Sequence, residues 1–187
     1  MATATKPLTI IGISRSLDIK EVTVKEVFEA IKKNGFDHIR SNWIITSDGK
    51  PVGACVLGQG ALNLGVAAEY NYYGNINNLV PGYSDMPWPQ QEKAHTAITR
   101  TAKKHSLIAQ LNKFKADKGS KWVTGEAGSS RAGDLIVYWN DAREYVSEDD
   151  FRDYRLKTYE EVVDMAYDIL KPHFDEKLEL LSVVYDN

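Results

Sequence analysis

Apolar residues recur at helical spacing in two places where a threonine stands three positions ahead of a glutamate. Thr23-Val-Lys-Glu26 opens a segment in which Val24, Val27, Phe28 and Ile31 share one face, and Asn34-Gly35 closes it. A threonine hydroxyl and a glutamate carboxylate so spaced satisfy the free amides of a helix start, so the pattern predicts an amphipathic helix. Thr158-Tyr-Glu-Glu161 repeats the device, and Val162, Val163, Met165, Ala166, Ile169 and Leu170 carry a further helix to Pro172.

Short β-branched runs predict strands at Leu8–Ile13, His38–Thr46, Leu135–Trp139 and Leu178–Tyr185, the third being the strongest. Residues 1–6 read as a frayed tail, and Ser47-Asp-Gly-Lys50 as a tight turn. Pro51 suits the first turn of a helix expected to reach Glu69, because a missing amide costs nothing there. Within it Ala54, Gly58, Ala61 and Gly65 form a stripe of small residues that another backbone can approach closely.

Residues 70–89 hold aromatics and turn-formers without a period, and residues 119–133 are rich in glycine and serine, so both predict long loops. Between them Ala94, Ile98, Thr101, His105, Ile108 and Leu111 keep near-helical spacing, which predicts one basic helix from Gln90 to Lys115. Ser147–Asp153 reads as an acidic helical turn or solvated loop. No repeat or linker divides the chain. The expected fold is a single α+β domain over residues 1–187, with a small sheet of about four or five strands against three main helices.

Composition agrees with a packed domain: of 187 residues, 43% are hydrophobic and 26% charged, which excludes general disorder. The single cysteine, Cys55, leaves no intramolecular disulfide and points to a reducing, cytoplasmic setting. The N-terminal residues lack a secretory core, and no run approaches the roughly 18–20 apolar residues of a membrane span, so no membrane partner is expected.

Charge changes the picture. The net value of −3 conceals eight basic residues against one acid between Lys93 and Lys121, a local +7. From Asp141 to Asn187 fourteen acids face six basic residues, a local −8. Such asymmetry bears on association rather than on fold.

Candidate chemistry is sparse. Cys55, in the first turn of its predicted helix, is a possible nucleophile, set against the plainer reading of a small buried side chain. The four histidines, His38, His95, His105 and His173, include no pair at the i, i+4 spacing of a helical metal site, so neither metal nor cofactor is expected. Asn140 and Asp141, at the end of the predicted Leu135–Trp139 strand, could orient a ligand in a crevice or simply build a turn. Gly125-Glu-Ala-Gly-Ser-Ser-Arg131 lacks the Gly-Lys-Ser/Thr of a phosphate loop. Lys93, Arg100, Lys103 and Lys104 offer a basic face, and Tyr72, Tyr73 and Trp88 an aromatic loop beside it.

The Gly53-Ala-Cys55 helix, the closing Trp139-Asn-Asp141 and the Thr158-Tyr-Glu-Glu-Val162 helix start together resemble an uncharacterised family of small actinobacterial and phage-encoded proteins. That resemblance covers residues 26–70 and 134–170. It implies a phage or bacterial origin and no particular activity. The expectation is therefore a non-enzymatic, phage-associated interaction protein, a virion component or host-directed accessory factor that binds a protein partner or itself. Nucleic-acid binding through residues 90–115 is the first alternative, and a small enzyme or ligand-binding protein centred on Cys55 or Asn140 and Asp141 is the second.

Overall fold

The computed structural model describes residues 17–48, 50–69, 85–116, 130–141, 143–144 and 155–183. The predicted Leu8–Ile13 strand, Tyr72 and Tyr73, most of the 119–133 loop and the acidic Ser147–Asp153 stretch lie outside them. The described residues form the expected α+β fold. In chain order they give β1 (Ile19–Thr23), α1 (Val24–Lys32), β2 (Asp37–His38), β3 (Ile44–Ser47), β4 (Lys50–Ala54) and α2 (Val56–Leu64). Then follow α3 (Trp88–His105), α4 (Leu107–Leu111), α5 (Ala132–Asp141), β5 (Arg143–Glu144), β6 (Arg155–Leu156), α6 (Tyr159–Leu170) and β7 (Lys177–Leu181).

Both capping boxes form. Thr23 accepts from the Glu26 amide at 3.2 Å and Glu26 accepts from the Thr23 amide at 2.6 Å, and that second bond, with another from the Thr23 hydroxyl at 2.9 Å, holds the Glu26 carboxyl below its usual range. Thr158 and Glu161 repeat the exchange at the start of α6. Val24, Val27, Phe28 and Ile31 turn inward as their spacing requires.

The strands are divided between sheets rather than gathered in one. β1 and β7 pair antiparallel from Ile19↔Leu181 to Thr23↔Lys177, while β4 lies between β2 and β3, parallel to the first and antiparallel to the second. β5 and β6 form a separate short ladder. Ile31, Leu57, Leu107, Leu111, Leu135, Ile136, Met165, Leu170, Leu178 and Leu180 are fully buried in the shared core. Each contributes roughly 1.5–3 kcal/mol on leaving water.

Three elements differ from the sequence expectation. Leu135–Trp139 is helical, part of α5, because Ala132, Leu135, Ile136 and Asn140 all face the core at positions i, i+3, i+4 and i+8. That burial outweighs the β preference of a run such as Leu-Ile-Val-Tyr-Trp. Lys50–Ala54 is a strand, so α2 begins only at Val56, and Pro51 sits at the β3–β4 register shift beyond the residues that β2 pairs. Such a place tolerates a residue with no ladder amide. The expected His38–Thr46 strand is broken by Ser41, whose φ of 64° turns the backbone out of extended geometry.

The basic helix also ends early, at His105. Ser106 takes an extended conformation, receives the amide of Ala109 on its side chain and starts α4 in a new direction. The amides of Leu107 and Ile108 meet the carbonyls of Ala67 and Ala68 at 2.8 and 3.1 Å. Of the small-residue stripe, Ala54 belongs to β4, Gly65 closes α2 at φ 66°, and Gly58 presses on backbone. A Cβ added to Gly58 would stand 2.0 Å from the carbonyl oxygen of Trp43.

Candidate functional site

Two groups of polar residues stand out, one inside the fold and one on its surface. The inner group gathers at the start of α2, where α5 ends. Asn140 is buried, and its side-chain oxygen receives the Val56 amide at 3.1 Å and lies 2.9 Å from Nε2 of His38. Its side-chain nitrogen donates to the Ile39 carbonyl at 3.2 Å and to Asp141 at 2.7 Å. Asp141 in turn accepts from the Ser41 amide at 2.9 Å. The pair predicted at a strand end thus occupies a helix end and fastens α5 to the β2–β3 connection and to α2.

Cys55 belongs to this junction. It caps α2, its sulfur receiving the Gly58 amide at 3.3 Å while its own amide donates to Trp43 at 3.0 Å. With 5% of its surface exposed, burial first and nearby carboxylates second push its thiol up to about 12. Desolvation outweighs the helix-start amides, so the thiol stays protonated and is no nucleophile. This corrects the activated-thiolate reading.

His38 and Tyr159 complete the junction, their rings edge to face with centroids 5.1 Å apart. The Tyr159 hydroxyl donates to the Ile31 carbonyl, and burial raises its pKa above the ordinary phenol value. Arg40 reaches the Lys157 carbonyl at 2.6 Å, and the Lys157 ammonium lies 4.8 Å from the centre of the Trp139 ring. Neither His38 nor Tyr159 stood out as a polar anchor in the sequence. The signal available was the helical register of Asn140 with Ile136, which turns the amide inward. Among the described residues no group of three or more His, Cys, Asp and Glu side chains is placed to hold a metal.

The outer group lies on α3. Ala94, Ile98 and Ala102 face inward, and Lys93, Arg100, Lys103 and Lys104 are all exposed. At about 100° per residue these four cations fall within a wedge of roughly 100° around the helix. Trp88, in the first turn, is 74% exposed and lies roughly 60° round the helix from the nearest edge of that wedge. Glu92 is the one acid among these side chains, and with Lys93, Thr96, Ala97 and Arg100 it lines an open groove of about 470 Å³.

Among the described residues none of the four cations has an ion-pair partner, in contrast to Lys177, which meets Glu21 at 2.7 Å. The structure therefore brings Lys93, Arg100, Lys103 and Lys104 together on one face of α3, leaves exposed Trp88 at the opposite end of that helix, and assigns Asn140 and Asp141 to a separate, internal task. Tyr72 and Tyr73 lie outside the described residues. Comparison of the chain with family models, with curated proteins and with solved structures found no match.

Proposed function

We propose that the chain is a non-enzymatic interaction protein that engages an acidic protein surface through the outward face of α3. The carrying observation is the set of Lys93, Arg100, Lys103 and Lys104, exposed on one face and unpaired among the described residues, on a helix that also exposes Trp88. Exposed aromatic and arginine side chains are the types that anchor protein interfaces. Glu92 and the apolar floor at Ala97 suit a mixed protein surface better than a uniform row of phosphates. The non-enzymatic part is supported by Cys55, sealed and protonated, and by Asn140 and Asp141, whose hydrogen bonds go to neighbouring chain segments. The setting, a virion component or a host-directed accessory factor, is supported by the resemblance to actinobacterial and phage-encoded proteins alone. Among the described residues no helix is long and apolar enough to cross a membrane.

Titration with an acidic amphipathic helical peptide and with duplex DNA of equal charge tests this reading. Lys103→Glu/Lys104→Glu and Trp88→Ala should each weaken peptide binding by about 10-fold, a loss near 1.4 kcal/mol. Equal peptide affinity in all three chains would overturn the proposal. Binding to DNA alone, with a steep salt dependence and no response to Trp88→Ala, would transfer the face to nucleic acid.

A further inference from the structure

Asn34-Gly35 is the one Asn-Gly pair in the chain, and it forms the link between α1 and β2. α1 ends at Lys32, Lys33 is its cap, and Asn34 takes a φ of 41°. Asparagine is among the few residues that adopt this left-handed conformation readily. Both members of the pair are exposed. A Cβ added to Gly35 would come no nearer than 3.9 Å to any atom beyond its chain neighbours, so nothing crowds the backbone there.

The residues on either side are held fast. Before the link, the Ala30 carbonyl accepts from the Asn63 side chain at 2.9 Å and the Ile31 carbonyl accepts from the Tyr159 hydroxyl. Beyond it, buried Gln59 accepts from the Phe36 amide at 3.1 Å and donates to the Phe36 carbonyl at 2.6 Å. Asn34 and Gly35 therefore span a short gap between two fixed points.

An asparagine so placed can react with its own backbone. Hydroxide takes the proton from the Gly35 nitrogen, which attacks Cγ of Asn34. The N–Cγ bond forms, the Cγ–Nδ2 bond breaks, and ammonia leaves with a proton from water, which restores the hydroxide. Water then opens the five-membered imide. Opening at Cγ gives an ordinary aspartate, whereas opening at the Asn34 backbone carbonyl leaves the chain running through Cβ as an isoaspartyl link. Ring closure needs a following residue whose nitrogen can be approached, which glycine supplies by having no side chain. Other asparagines lack these conditions. Asn63 lies within α2 with its side chain on Ala30, Asn112 exchanges hydrogen bonds with Asp134 at 2.7 and 2.9 Å, and Asn140 is buried.

We infer that Asn34 is a site of spontaneous deamidation, and that its isoaspartyl product loosens Phe36 from Gln59. The isoaspartyl link adds a backbone atom between the two fixed points, and the aspartate adds none. Either product places a carboxylate at the C-terminal end of α1, where the helix dipole disfavours it and where Lys32 and Lys33 stand close in sequence to offset it. This modification is independent of what α3 binds.

Peptide mapping of the full chain after incubation in mildly alkaline buffer tests the site. Trypsin cuts after Lys33 and Arg40, and the peptide between them holds no other asparagine. The folded chain should convert Asn34 within about 10-fold of the rate of that peptide free in solution, in proportion to hydroxide. Gly35→Ala, whose Cβ has room in the fold, should slow conversion by about 10-fold or more, while Asn63, Asn112 and Asn140 keep their amides. Conversion of Asn34 in the wild-type chain more than about 10-fold slower than in the free peptide would overturn the inference, as would a folded Gly35→Ala chain that converts at the wild-type rate. If circular dichroism shows Gly35→Ala unfolded, the wild-type rate decides alone. In the isoaspartyl form, resolved by chromatography, the Phe36 amide should exchange its hydrogen about 10-fold faster than in Asn34→Asp. Equal protection in the two would overturn the loosening of Phe36.

Discussion

The junction around Asn140 and the outward face of α3 handle polar groups in opposite ways. At the junction the polar side chains spend much of their hydrogen-bonding capacity on backbone: buried Asn140 on Val56 and Ile39, half-buried Asp141 on Ser41, buried Tyr159 on Ile31. On α3 four charged groups point to solvent, and none of them meets an opposite charge among the described residues. A buried polar group without its partner costs the full desolvation penalty, whereas an exposed charge costs almost nothing. The junction is therefore bound to stability, and the α3 face is free to serve something else.

The sharpest break of that comparison is Asn140→Ala. It strands the Val56 amide and the Ile39 carbonyl in the interior, and urea unfolding should show a loss of about 3 kcal/mol. A loss under about 1 kcal/mol would mean that the junction does not hold α5 to α2.

Gly58→Ala comes next. The added Cβ would meet the Trp43 carbonyl at 2.0 Å, and backbone yields only by moving β3 away from α2. Overpacking of this kind should cost about 2 kcal/mol in the same assay.

A pH series sharpens the contrast further. The Cys55 thiol is raised from an ordinary 9.0 to about 12, so the folded state holds its proton more tightly than the unfolded state. Its contribution is complete below the unfolded value and is lost as pH rises toward the folded one. Wild type should lose about 1.4 kcal/mol between pH 7 and 10 that Cys55→Ala does not lose. Parallel pH curves for the two chains would contradict the buried, protonated thiol.

Lys103→Glu/Lys104→Glu should have the smallest effect on folding, within about 0.5 kcal/mol of wild type, while weakening binding of the acidic peptide by about 10-fold. A large stability loss in this variant would show that the α3 face serves the fold after all.

Much of the fold was legible because it follows from local rules. The capping boxes at Thr23 and Thr158 and the buried faces of α1 and α6 arise from residues three or four apart. The α+β class followed from them together with the last strand, realised as β7. What was not legible depends on distant groups. Leu135–Trp139 has the side chains of a strand, and only the packing of Ala132, Leu135 and Ile136 against other elements makes it helical. Ser41 and Pro51 take their conformations from neighbours such as Asp141 and the β3–β4 register shift.

The candidate site divides along the same line. Clustering of Lys93, Arg100, Lys103 and Lys104 on one face could be read from their spacing on a helix, and so could their exposure. The role of Asn140 could not, since its partners Val56, Ile39 and His38 lie 84, 101 and 102 positions away. A side-chain amide that replaces missing backbone partners gives no periodic signal. The same holds for Gln59, buried and bonded to both backbone groups of Phe36, and for Gln110, which accepts from the Glu179 amide at 3.2 Å.

The joint at Ser106 separates two properties of the cationic rod. Its aim is set by uncharged groups, the buried Ala94, Ile98 and Ala102 along its inner face and, at its C-terminal end, the joint to α4 that the serine cap and the carbonyls of Ala67 and Ala68 hold. Its cargo of charge is borne on the outer face, by the side chains of Lys93, Arg100, Lys103 and Lys104, which take no part in that joint. Exchanging one lysine for another residue therefore retunes what the rod can grip and leaves its bearing unchanged.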